Sequence, residues 1–193
     1  MKKIILLLMI GLATFFVTGC SDSGVAVVKT FQAEGFNNKS FQEVFGEYKG
    51  AKSVKWLSAE NIDKKNISPL SRKEAEDKAE KVYKASCEVE LYNDVVNFQT
   101  DSNNYTQVSV LMELNEGLKS GKANNSIGKF VLVFEASIDK DDKENILYST
   151  CLDMHVEKKG KLRFYIDNAK KVLKNIANNK KLTFNVVGIE QIK

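Results

Sequence analysis

Histidine is almost missing from this chain: His155 is the only one. Any site built from two or more imidazoles is thereby excluded. Proline is as scarce, with Pro69 alone, so there is no proline-rich recognition segment or stiff linker. Neither sign of charge dominates. The formal net charge is +4, too small a bias for a chain whose main partner is nucleic acid. The longest uncharged apolar run, 4–17, has fourteen residues, short of the roughly 20 that a spanning helix needs. Phosphate loops, nucleophile elbows and zinc-ligand spacings are lacking, as are internal repeats and low-complexity segments.

What is there begins with that run. Lys2 and Lys3 precede it, and the small or polar Ser21, Asp22, Ser23 and Gly24 follow Cys20. This is the layout of a secretory leader. Val17-Thr18-Gly19-Cys20 resembles a bacterial lipobox: an aliphatic residue, two small residues, then cysteine. In that family the cysteine thiol is diacylated, the leader is cut just before it, and the new amino group is often acylated too. The resemblance implies a signal peptide over 1–19, cleavage between Gly19 and Cys20, lipidation of Cys20 and a short lipidated tether over 20–24. It places the protein on the exported side of the cell membrane or outer membrane, periplasmic where the envelope has two membranes. Ser21 stands where Asp resembles an inner-membrane retention signal, which in an enteric envelope implies export to the outer membrane. Each buried methylene contributes about 0.8 kcal/mol, so two or three acyl chains hold a domain where one does not. On the residues alone, an ordinary signal peptide or an uncleaved anchor stays open.

Removing the leader takes away two lysines and lowers the formal charge from +4 to +2. Residues 25–193 are of a length for one domain, and 43% hydrophobic with 28% charged residues is a globular composition. Alternation and turn signals predict strands over 25–31, 53–57, 85–92, 95–100, 105–114, 130–134, 146–156, 162–166 and 182–192, with 115–128 irregular. Two capping boxes, Ser40-Phe41-Gln42-Glu43 and Ser71-Arg72-Lys73-Glu74, open helices. The first carries the stripe Phe41, Val44, Phe45, Tyr48 and stops at Gly50. The second carries Ala75, Ala79, Val82 and Tyr83. A third helix, capped by Asp167, carries Ala169, Val172, Leu173, Ile176 and Ala177 and ends at Asn178-Asn179. Short turns favour an α+β fold: a curved antiparallel meander whose apolar face is covered by about three helices. Cystatin-like or NTF2-like arrangements fit by analogy only. The first capped helix followed by Lys55-Trp56 resembles a pattern in families of uncharacterised periplasmic lipoproteins, and this implies no activity.

Five groups are candidates for chemistry or binding. Cys87 and Cys151 sit in an exported chain, where a disulfide can form. Their parity opposes it: Cys87 alternates with the apolar Ala85, Val89 and Leu91, but Cys151 with the polar Ser149, Asp153 and His155. Cys151, Asp153 and His155 share a strand face, yet residues four apart on a strand stand about 13 Å apart, so Cys151 and His155 cannot share a hydrogen bond or one zinc ion. The acidic run 139–144 lacks the glycine and the glutamate of a calcium loop and reads as a charged turn. Phe41, Phe45, Trp56 and Phe134 are placed to line a cavity between helix and sheet, or to fill it as core. Lys170, Lys171 and Lys174 make the third helix basic on its polar side, a solvated face or one turned to anionic head groups.

No metal or cofactor is expected. The function expected is that of a non-enzymatic, lipid-anchored envelope protein that binds a protein partner as an accessory factor. A carrier or sensor of a small apolar ligand is the alternative.

Overall fold

The computed structural model describes residues 23–32, 35–36, 38–58, 82–120, 128–139, 146–156 and 160–192. The elements are α1 (Ser23–Thr30), α2 (Phe41–Gly46), β1 (Ala51–Ser58), β2 (Val82–Leu91), β3 (Val96–Gln99), α3 (Tyr105–Ser120), β4 (Lys129–Asp139), β5 (Ile146–Val156), β6 (Gly160–Ile166), α4 (Ala169–Ala177) and β7 (Leu182–Ile192). The fold is α+β, as expected. One seven-stranded sheet runs β1-β2-β4-β5-β6-β7-β3. Every pairing is antiparallel except β3 with β7.

The sheet curls. Strands β4 and β3 are four positions apart, about 19 Å in a flat sheet. The rings of Phe98 on β3 and Phe130 on β4 nevertheless stand 5.7 Å apart. The inner face of the curl holds the core: Phe130, Leu132, Phe134 and Ile138 of β4 join Val28 of α1, Phe41 and Phe45 of α2 and Leu173 of α4. Strand β4 is buried on both faces, since Val131 and Val133 pack with Cys151 on the outer side. That is why 130–134 reads as an unbroken apolar run.

The first capping box forms as expected. Ser40 Oγ accepts from the Glu43 N–H, and Glu43 Oε2 accepts from the Ser40 N–H at 2.7 Å. Those bonds to Ser40 hold the Glu43 carboxyl below its usual range. The helix ends at Gly46, before Gly50. Gly50 has another purpose: a Cβ there would stand 2.5 Å from the Tyr48 ring. At the other terminus signal, Asn179 takes the left-handed conformation (φ 53°) that ends α4.

Several expectations are corrected. Residues 25–31 are not a strand: α1 starts at Ser23, inside the expected tether. Val25 and Val28 lie one turn apart, and burying Val28 against the sheet overrides β-branched propensity. Val82 and Tyr83 belong to β2, registered opposite Asp139 and Ile138, rather than to a second helix. Ser71–Glu74 and the rest of that helix lie outside the described residues. Strand β3 does not form a hairpin with β2. A 3-10 turn over Asn93–Val95 redirects the chain, and β3 pairs in parallel with β7 at the far edge. Tyr105–Leu114 is the first part of α3, not a strand. Finally, Asn168 rather than Asp167 precedes α4 as N-cap, while Asp167 accepts from the Asn185 amide.

Candidate functional site

The four side chains placed to line a cavity are packed on one another. The centroid of Phe134 lies 4.7 Å from that of Phe41 and 5.1 Å from that of Phe45. Phe45 stands 6.0 Å from Trp56, edge to face. Ring pairs at such distances are favourable contacts, so these residues fill the space between α2 and the sheet as core. Lys29 of α1 lies over the Trp56 ring at 5.8 Å, which ties the first helix to the same cluster.

The cysteines do not meet. Cys87 is registered beside Phe134 and Trp56 on the inner face. Cys151 is registered beside Val133 and buried with it on the outer face. Both are free, so the candidate Cys87–Cys151 disulfide is not formed. Side chains on opposite faces of one sheet cannot be bridged. Burial raises the pKa of the Cys87 thiol far above its ordinary value. Burial also pushes the Cys151 thiol up to about 12, against the pull of nearby Arg163. Neither is a thiolate near neutral pH, the form a nucleophile needs.

The outer face around Cys151 is held by an ion pair. Asp153 and Arg163 are direct cross-strand partners, 0% and 1% exposed. They bond through both carboxylate oxygens, Arg163 Nε to Oδ1 at 2.8 Å and Nη2 to Oδ2 at 2.9 Å. Lys161 Nζ reaches the same carboxylate at 2.8 Å. Burial is the largest single influence and works to lower the Arg163 pKa, but the bonds and charge of Asp153 together with the neighbouring Cys151 and Tyr165 outweigh it and raise the value. His155 is exposed beside Lys161, and burial of part of the ring together with that charge depresses its pKa. Asp153 is thus committed to two cations and not to His155. The arrangement fixes the β5–β6 register, and it gives no nucleophile–base pair. Among the described residues no group of three or more His, Cys, Asp or Glu could hold a metal ion. The acidic run after Asp139 lies outside them.

One polar cluster had no signal in the sequence. Asn185 of β7 donates to both oxygens of Asp167, at 2.8 and 2.9 Å, and to Asp101 at 3.4 Å. Asn168 Oδ1 accepts from the Asn185 N–H, and Gln107 of α3 donates to the Val186 carbonyl at 2.9 Å. Residues from 101 to 186 meet here because β3 pairs with β7. The cluster is a junction that fastens the starts of α3 and α4 to the sheet.

Two surfaces stand out. On α3, Tyr105 is 86% and Met112 59% exposed, and Val187 of β7 is 56% exposed. Val186, next to Val187, is the residue bonded by Gln107, so these apolar groups share the α3–β7 end of the molecule. On α4, Lys170, Lys171 and Lys174 are exposed, opposite the buried Val172, Leu173 and Ile176. Gly19 and Cys20 lie outside the described residues. Among the described residues no helix is long and apolar enough to cross a membrane. No family model, curated protein or solved structure matches the chain.

Proposed function

We propose that this chain is a lipid-anchored cell-envelope protein, held through Cys20, that works without catalysis by binding a protein partner as an accessory factor. The observation that carries the partner is the outer side of α3. Tyr105 and Met112 are two helical turns apart, about 10 Å, on one side of the helix. They are the most exposed large apolar side chains among the described residues. Aromatic residues and methionine are enriched where proteins meet, and Met adapts its shape to a partner. The anchor rests on the lipobox of residues 17–20. The alternative, a carrier of a small apolar ligand, needs room where Phe41, Phe45 and Phe134 already touch.

Two variants test this. Cys20→Ser is expected to release the protein from the membrane fraction. The Tyr105→Ser/Met112→Ser form is expected to keep its stability within about 0.5 kcal/mol, as exposed sites do, while losing the protein that copurifies with the parent. A Cys20→Ser form that stays processed and membrane-bound contradicts the anchor. A parent protein that carries an apolar small molecule and no protein supports the carrier instead.

A further inference from the structure

The fold brings more lysines together than α4 supplies. Tyr48 Oη donates to the Lys180 carbonyl at 3.0 Å, and the Lys49 N–H donates to Asn179 Oδ1 at 2.8 Å. These two bonds seat the exposed Lys49, from more than a hundred residues earlier, at the end of α4 beside the exposed Lys180 and Lys181. At 100° per residue, Lys170, Lys171, Lys174 and Asn178 fall within one outward arc of α4, with Val172, Leu173 and Ile176 on the opposite side. None of these six lysines is in a salt bridge among the described residues. Of the acids on the adjoining segment, Glu43 closes its own capping box and Glu47, just past α2, is paired with Lys39. Asp94 is close enough to Tyr48 to add to burial in raising its pKa, and is the acid that faces this end of the lysine cluster.

We infer that this lysine face lies on an anionic lipid surface. The inference rests on the anchored reading of Cys20. Helix α1 begins at Ser23, and three residue steps from Cys20 reach at most about 11 Å. That is close to one Debye length, so the domain cannot stand off from the bilayer beyond the range of its charge. Helix α1 packs on α2, and α2 packs on α4. Helix α1, the first described element after Cys20, and the lysine face therefore belong to one layer of helices on the same side of the sheet. Charge complementarity then selects anionic head groups as the occupant.

The test uses the protein as isolated from membranes, added to vesicles that carry a nitroxide head-group quencher. A fluorophore is placed through Asn178→Cys, in the middle of the lysine arc, with the buried Cys87 and Cys151 left untouched. Quenching is expected on phosphatidylglycerol vesicles and not on phosphatidylcholine vesicles, and is expected to be lost in high salt. Each lysine near such a surface contributes roughly a fivefold factor. The Lys170→Gln/Lys171→Gln/Lys174→Gln form should thus lower the docked-to-free ratio about a hundredfold. Equal quenching on neutral and anionic vesicles, or quenching unchanged by the triple substitution, overturns the inference. The mass of the N-terminal peptide in the same preparation reports acylation of Cys20 separately. A missing acyl group therefore overturns the anchor, while the quenching still decides the lysine face.

Discussion

Cys87 and Cys151 show what can be settled at the scale of a residue. In an exported chain two cysteines invite a bridge, which would close a loop of about 65 residues and be worth several kcal/mol in the chain-entropy model. Parity alone argues the other way, and the register agrees: Phe134 stands beside one thiol and Val133 beside the other. Burial raises both thiol pKa values, so the protonated form is held across the whole neutral range. The sign is simple. Attack requires the thiolate, and raising the pKa removes it. Alkylation of the folded, non-reduced protein is expected to leave both thiols unmodified, and alkylation in denaturant without reductant is expected to modify both. Thiols that react in denaturant only after a reductant is added would show a disulfide instead. The Asp153–Arg163 pair belongs to the same scale. Asp153 was visible in the sequence as part of a polar face. Its partner was not, because Arg163 becomes its neighbour only through the β5–β6 register.

At the scale of elements, the sequence was legible wherever the pattern and the packing agree. The capping box at Ser40 names the start of α2, and the stripe Val172, Leu173, Ile176 names the buried side of α4. The double-faced burial of β4 shows as its continuous apolar run. Helix α3 was misread for a physical reason. Its inward side mixes the apolar Leu111, Leu114 and Leu118, spaced i, i+3 and i+7, with the amides Gln107 and Asn115, which look like surface and break up the helical stripe. What remained visible was the alternation of Val108, Val110, Met112 and Leu114. Asn104, whose Oδ1 accepts from the Gln107 N–H at 3.2 Å, was the available signal for a helix start. The amides are inward because they bind backbone. Asn115 accepts from the Phe98 N–H at 2.9 Å and donates to the Phe98 carbonyl at 2.8 Å, so a side chain imitates a neighbouring strand along the free edge of β3. An open edge is a template for unwanted pairing, and this amide covers it. Asn115→Ala is expected to cost about 1–3 kcal/mol, the penalty for leaving part-buried backbone groups unpaired. It should also speed amide exchange at Phe98 well before global unfolding. Unchanged stability and unchanged exchange at Phe98 would contradict that role.

At the scale of the whole molecule, three features that lie apart in the sequence bear on the inferred orientation. Cys20, the proposed anchor, lies only three residues before the start of α1. Helices α1, α2 and α4 form a single layer, with the lysines of α4 on its outward side. Helix α3, fixed to the β3–β7 edge, presents Tyr105 and Met112 to solvent. The inferred picture is a domain seated against the bilayer by acyl chains and lysines, with α3 left for a partner. Motif could suggest the proposed anchor and composition the lysines of α4, because both are local in sequence. They could not indicate Lys49 beside Lys180, or α3 beside β7, because those depend on long-range pairing. The most direct measurement is in-cell photocrosslinking from position 112, in the anchored protein and in its Cys20→Ser form, followed by mass spectrometry of the adduct. The account predicts one stoichiometric envelope protein, captured from position 112 only when the protein is anchored. No protein adduct from position 112, or the same adduct with and without the anchor, would contradict it.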